Sequence, residues 1–165
     1  MKKTITDSTI DAEGAHIDNQ YSGSGGSIWL ECETFAGAGS VSANGGPGNS
    51  GWMPAGGRVA IYHTSCTYTG KRSVSGGQGS YSCGAEGTLY EPGLFPAGTK
   101  DAPASVTLSE NFHYVFADET TPHYWNLTVA NETRAWLSRG KLHLGDLALS
   151  GSAQLYLGDE TYTQA

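Results

Sequence analysis

Charge is scarce in this chain. Asp, Glu, Lys and Arg make up 15% of its 165 residues, too few for the ion-paired faces on which exposed helices depend. Mixed runs of the helix formers Ala, Leu, Glu, Lys and Arg are also missing. The one stretch that combines them, Thr133 to Leu149, is broken by Gly140 and Gly145. Little or no helix is therefore predicted. Basic residues are outnumbered, with 9 Lys and Arg against 16 Asp and Glu and a net charge of −7. Lys71-Arg72 is the one basic pair inside the chain, so a nucleic-acid partner, which would need clustered Lys and Arg, is excluded. No apolar run approaches the roughly 18 residues of a membrane-spanning helix. Met1-Lys2-Lys3 leads into Thr, Asp and Ser instead of the apolar core of a signal peptide, so an exported parent would carry its signal outside this segment.

Cysteine is sparse too. Cys32, Cys66 and Cys83 allow one disulfide and one leftover thiol. Cys32 follows Ile28 and Leu30 at period two, which places it on the inward face of a strand. Cys66 and Cys83 both sit in connecting sequence rich in Ser, Thr, Tyr and Gly. Either they bridge and close that loop, or the cysteines are simply buried.

What the chain has in abundance is glycine, 24 residues of it, about twice ordinary usage. A single structural unit of strands and turns follows. Residues 1–22, with Ile5, Ile10 and Ile17 spaced among polar residues, read as a lead-in segment. From 23 to 91 the chain repeats itself: SGGSIWL at 24–30 and GSVSANGG at 39–46 are followed by AGGRVAIY at 55–62, RSVSGGQG at 72–79 and AEGTLYE at 85–91. Ile28 and Val59 are 31 residues apart, Val59 and Leu89 are 30 apart, and Val41 and Val74 are 33 apart. These intervals give a period of about 31, the mark of a repeat architecture. Alternation turns Ile28, Leu30, Cys32, Val59 and Ile61 inward and Trp29, Glu31, Glu33, Arg58, Ala60 and Tyr62 outward. The Gly-Gly pairs then serve corners, where positive φ or close backbone approach excludes a side chain.

Residues 92–105 form a Pro/Gly-rich connector. Beyond it, VTL at 106–108, FHYVF at 112–116, WNLTV at 125–129, RAWLS at 134–138, KLHLGDLAL at 141–149 and QLYLG at 154–158 read as further strands of the same superstructure over 106–165. Their parity collects Leu127, Val129, Leu142, Leu144, Leu155 and Leu157 on one face. The succession GSGGSIWL, VSANGG, GGRVAIY, SGG and EGTLY resembles the Gly-rich repeats of very large bacterial surface proteins. NLTVANETRAWLSRGKLHLGDLALSGSAQLYLG resembles autotransporter-passenger repeats. The resemblance covers about residues 23–158 and implies an all-β solenoid, a right-handed parallel β-helix, with a display or adhesion role at the cell surface and no reaction. The insertion GPGNSGWMPA at 46–55 and the cysteines depart from it.

No catalytic set emerges from the residues. Gly46-Pro47-Gly48-Asn49-Ser50-Gly51 matches GxGxxG in form, but Trp52-Met53-Pro54 follows where nucleotide binding needs a helix start, so the segment reads as a turn. Glu31 and Glu33 point the same way from one strand, whereas glycosidase carboxylates come from different strands and face each other. They read as a surface ladder. His113, Asp118, Glu119 and His123 offer nitrogen and oxygen ligands only if the ADETTP segment folds back, and a polar hairpin loop is the simpler reading. His63 and Cys66 are a lone pair of ligand types. Asn126-Leu127-Thr128 and Asn131-Glu132-Thr133 match the glycosylation sequon, a short pattern common in Thr-rich β-sequence. Neither a cofactor nor a metal is expected, and no catalytic residue is assigned.

The resulting expectation is a non-catalytic structural or adhesive module of an extracellular or cell-surface protein. Its partners would be glycans or surface proteins, besides neighbouring repeats of its parent. Contacts would fall on exposed aromatics: Trp52, in a loop with few apolar neighbours, then Trp29 and Tyr62, whose rings should stack. Trp52 could instead seal a neighbouring corner. A fragment of a β-helix carbohydrate-active enzyme is the alternative, and it requires Glu31, Glu33, Asp118 or Glu119 to converge with Arg58, Lys71, Arg72 or Arg134. A segment without autonomous function is the third reading, because neither end looks like a cap.

Overall fold

A computed structural model describes residues 8–16, 22–48, 53–78, 84–116 and 120–158. Those residues are all-β and contain no helix, so none of them crosses a membrane as a helix. The strands are β1 (Thr9–Asp11), β2 (Ser27–Gly37), β3 (Ser40–Ser42), β4 (Arg58–Tyr68), β5 (Lys71–Ser73) and β6 (Thr88–Tyr90) in the first half. The second half adds β7 (Ala104–Leu108), β8 (Phe112–Val115), β9 (Pro122–Val129), β10 (Arg134–Ser138), β11 (Lys141–Leu149) and β12 (Gln154–Leu157). Strands alternate between sheets along the chain. The even-numbered ones form a six-stranded sheet in the order β12-β10-β8-β6-β4-β2, flanked by three-stranded sheets β1-β3-β5 and β11-β9-β7. Every pairing is parallel.

The inward column runs Ile28, Val59, Leu89, Tyr114 and Leu137, each in register with the next, and all five are buried. The period of about 31 is thus the register of the first two steps, 31 residues from Ile28 to Val59 and 30 from Val59 to Leu89. The third interval was misaligned, because Val41 pairs Arg72, not Val74. Steps shorten along the chain, so that Arg134 to Gln154, the last pair in the large sheet, spans 20 residues. Each fully buried aliphatic side chain in this column contributes about 1.5–3 kcal/mol.

The Gly25-Gly26 and Gly56-Gly57 pairs before β2 and β4, and the single Gly87 before β6, act through close approach. A Cβ on Gly57 would lie 2.0 Å from the Gly26 carbonyl oxygen, and one on Gly56 would lie 1.9 Å from that of Val74. Backbone hydrogen bonds cross there directly, from Gly57 N–H to Ala43 O at 2.6 Å and from Gly87 N–H to Val74 O at 2.6 Å. No side chain fits between strands so close.

The connector at 92–105 does not divide the core. Phe95 inserts against Phe112, Tyr114 and Trp125 with ring centroids 5.0–6.2 Å apart, and Trp125 Nε1 donates to Pro96 O at 2.8 Å. In β11 the register shifts between Leu144 and Leu147. There Asn126 Oδ1 accepts from Asp146 N–H at 3.1 Å, so one sequon asparagine holds a bulge. Asn131 Oδ1 accepts from Ser152 N–H at 3.0 Å, and the other holds a turn. Leu147 and Leu149 face as Leu127 and Val129 do, yet they are exposed because β11 ends its sheet. Leu157 in β12 is exposed for the same reason, against its expected place in the core.

Candidate functional site

β2 is the end strand of the six-stranded sheet, so among the described residues one of its edges has no strand beside it. Along that edge lies a cavity of about 450 Å³ lined by Ile10, Trp29, Leu30, Glu31, Thr34 and Phe35, among others. Its volume is within the range of small-molecule sites. Trp29 forms one wall and is 67% exposed. Its orientation comes from the neighbouring strands. Trp29 is in register with Ala60, and Ala60 with Tyr90, so the small Ala60 side chain leaves a gap between two large rings. Tyr62, two residues on in β4, leans diagonally into that gap. Its ring centroid is 4.6 Å from Trp29 and 5.2 Å from Tyr90. The Trp29 and Tyr62 rings are thus in contact but tilted by 34° instead of stacked, and Tyr90 extends the row.

Burial and the neighbouring Tyr62 phenol push the Tyr90 hydroxyl above its ordinary pKa, so it stays a neutral hydrogen-bond donor at physiological pH. A second aromatic pair occupies the opposite end of the same sheet. Trp136 and Tyr156 are in register, stacked at 4.3 Å and 7°.

The carboxylates expected to form a surface ladder do so. Glu31 and Glu33 are exposed, and among the described residues their carboxylates meet none of the arginines. Arg72 instead pairs with Glu91, Arg134 with Glu86, and Lys71 with Glu110 at 3.9 Å. The His113 imidazole is 2.7 Å from the Ser138 hydroxyl, while His123 lies against Phe116 and Trp125. Asp118 and Glu119 fall outside the described residues, as does Trp52. Cys66 carries a free, exposed thiol, and Cys83, its anticipated bridging partner, lies outside the described residues. Cys32 is half-buried against the core. Burial, then the nearby Cys66 and Glu91, raise its thiol pKa.

The densest polar cluster centres on a residue that sequence reasoning passed over. Glu91 follows β6, and its side chain is 0% exposed. Arg72 grips it with two bonds, Nε to Oε2 at 2.8 Å and a terminal nitrogen to Oε1 at 2.7 Å. His63 Nε2 is 3.3 Å from Oε1, and the Cys66 thiol donates to the same oxygen at 3.7 Å. The Arg72 guanidinium lies over the rings of Phe35 and Tyr68, 5.5 and 4.6 Å from their centroids. Below it, the buried Tyr114 hydroxyl donates to the Glu91 carbonyl at 3.0 Å.

The chain matches no family model, no curated protein and no solved structure.

Proposed function

We propose that the chain is a structural and adhesive repeat module of a larger extracellular or cell-surface protein. Its three parallel sheets are the faces of one β-solenoid, a right-handed parallel β-helix, and it holds glycans at the β2 edge. Support for the coil comes from the strict alternation of strands between sheets. Each return to the six-stranded sheet adds a parallel strand beside the previous one, which is how a coiled chain lays down turns, and parallel crossovers are right-handed in nearly all proteins.

The observation that carries the binding reading is the free face of Trp29 beside an apolar cavity. The sugar C–H face is apolar and docks on such flat rings, while Glu31 and Thr34 on the same rim supply acceptors and a donor for hydroxyls. Tyr62 and Tyr90 behind Trp29 restrict its rotamers, so little entropy is lost on binding. Against a carbohydrate-active enzyme stands the pairing of Arg72 and Arg134 with Glu91 and Glu86, which draws those cations away from Glu31 and Glu33.

A glycan array followed by calorimetry on the best ligand tests the reading. Trp29→Ala is expected to weaken binding roughly tenfold, equivalent to about 1.4 kcal/mol, with little change in melting temperature. Undiminished binding by W29A overturns it. Trp52→Ala, measured in parallel, separates a ligand contact at that loop from a structural cover, which would lower the melting temperature and leave binding intact.

A further inference from the structure

We propose that His63, Cys66 and Glu91 form a binding site for one divalent transition-metal ion, with zinc the ion that best suits their mixed donors. The site is separate from the β2-edge cavity and does not depend on the glycan reading. Imidazole nitrogen, thiolate sulfur and carboxylate oxygen are the three donor types that zinc takes in proteins, and the three ligand atoms lie within 4.8 Å of one another.

Their spacing suits a shared ion. With bonds of about 2.0–2.3 Å to nitrogen, oxygen and sulfur, the edges of a tetrahedral zinc site measure roughly 3.3–3.6 Å. The His63–Glu91 edge is 3.3 Å and the Cys66–Glu91 edge 3.7 Å. The remaining His63–Cys66 edge closes by rotation of the Cys66 side chain, which its exposure permits.

The hydrogen bonding leads to the same place. Glu91 Oε1 sits within bonding reach of Arg72, His63 and Cys66 together, more donors than its two lone pairs serve well. A metal ion removes that crowding. It takes the place of the imidazole and thiol protons at Oε1: His63 binds through Nε2 as the neutral ring protonated at Nδ1, and any proton on Nε2 leaves by exchange with solvent. Cys66 binds as thiolate, and its proton passes to solvent. Arg72 remains on Oε2 through Nε, 2.8 Å away, and so orients the carboxylate from outside the ligand set. The same guanidinium also donates to Cys66 Sγ at 3.8 Å. Stacking on Phe35 and Tyr68 keeps it there. Cys66 at the surface gives the ion a path from solvent and leaves a fourth position to water.

The test uses the full chain with a phosphine reductant, titrated with Co²⁺ and then Zn²⁺ and followed by absorption and calorimetry. One Co²⁺ per chain should bind with a thiolate-to-cobalt charge-transfer band and tetrahedral visible bands, and Zn²⁺ should displace it. C32S/C83S, in which Cys66 is the remaining thiol, should keep the band. C66S should lose it, and H63Q should weaken binding by more than about tenfold, since even residues outside the ligand set cost roughly 10–100-fold. Glu91 is left in place because removing it strands the Arg72 guanidinium without its buried partner. Melting curves establish that C66S and H63Q are folded. Absence of uptake, binding without a charge-transfer band, loss of the band in C32S/C83S, or wild-type affinity in folded C66S or H63Q each overturns the site.

Discussion

Glu86 shows how one residue makes stability depend on pH. Its side chain is 1% exposed and pairs with Arg134, while its Oε2 accepts from Gly76 N–H at 3.0 Å. Burial nevertheless outweighs both partners and raises its pKa above the ordinary 4.5. A raised carboxyl pKa means that, above about pH 4.5, the folded chain holds this proton more tightly than the unfolded chain. Stability from this group is then present at low pH and is lost as pH rises through the folded pKa. Glu86→Gln keeps the shape and one acceptor but cannot ionise. Denaturation of both chains across acid to neutral pH should show the mutant losing less stability as pH rises. Parallel profiles would contradict the assignment.

At the level of strands and corners, alternation and punctuation made most elements legible beforehand. KLHLGDLAL coincides with β11 and RAWLS with β10, because period-two burial leaves a direct trace in composition. The Trp29–Tyr62 contact was legible for the same reason, although its diagonal geometry depends on the small Ala60 between two rings. Val41 was matched to the wrong valine because VSANGG and VSGG look alike, whereas the structure aligns Ser40-Val41-Ser42 with Lys71-Arg72-Ser73. The Glu91 cluster was not legible. His63 and Cys66 on β4 were readable only as a pair of ligand types; Arg72 on β5 and Glu91 at the end of β6 join them through the fold, not through spacing along the chain. The glycines give a direct test of close approach. Gly56→Ala must move backbone at 1.9 Å, while among the described residues a Cβ on Gly48 meets the flexible side-chain ends of Met53 and Ser22, at 3.3 and 3.4 Å. G56A should cost at least about 1–3 kcal/mol and G48A no more than about 0.5 kcal/mol, read from denaturant unfolding.

For the molecule as a whole, stability should vary along the stack of strands. In the six-stranded sheet β4, β6, β8 and β10 have a parallel partner on each side, whereas β2 and β12 have one. The inward column is sealed at Val59, Leu89 and Tyr114, all 3% exposed or less, and opens at Leu157, 58% exposed. Because the strands pair only with their neighbours in the stack, opening from an end breaks one ladder, while opening at the centre breaks two. Local unfolding therefore starts at the ends. Amide hydrogen exchange should show protection highest in β4, β6 and β8 and lowest in β12, with β11 following β12 because Leu147 and Leu149 add little burial. Leu89→Ala should lower protection throughout, with a loss of about 2–5 kcal/mol. Leu157→Ala should change only the exchange of the last strands. Uniform protection along the sheet, or equal effects of the two substitutions, would mean that the chain opens as a single cooperative block and would remove the basis for treating its strands as successive turns.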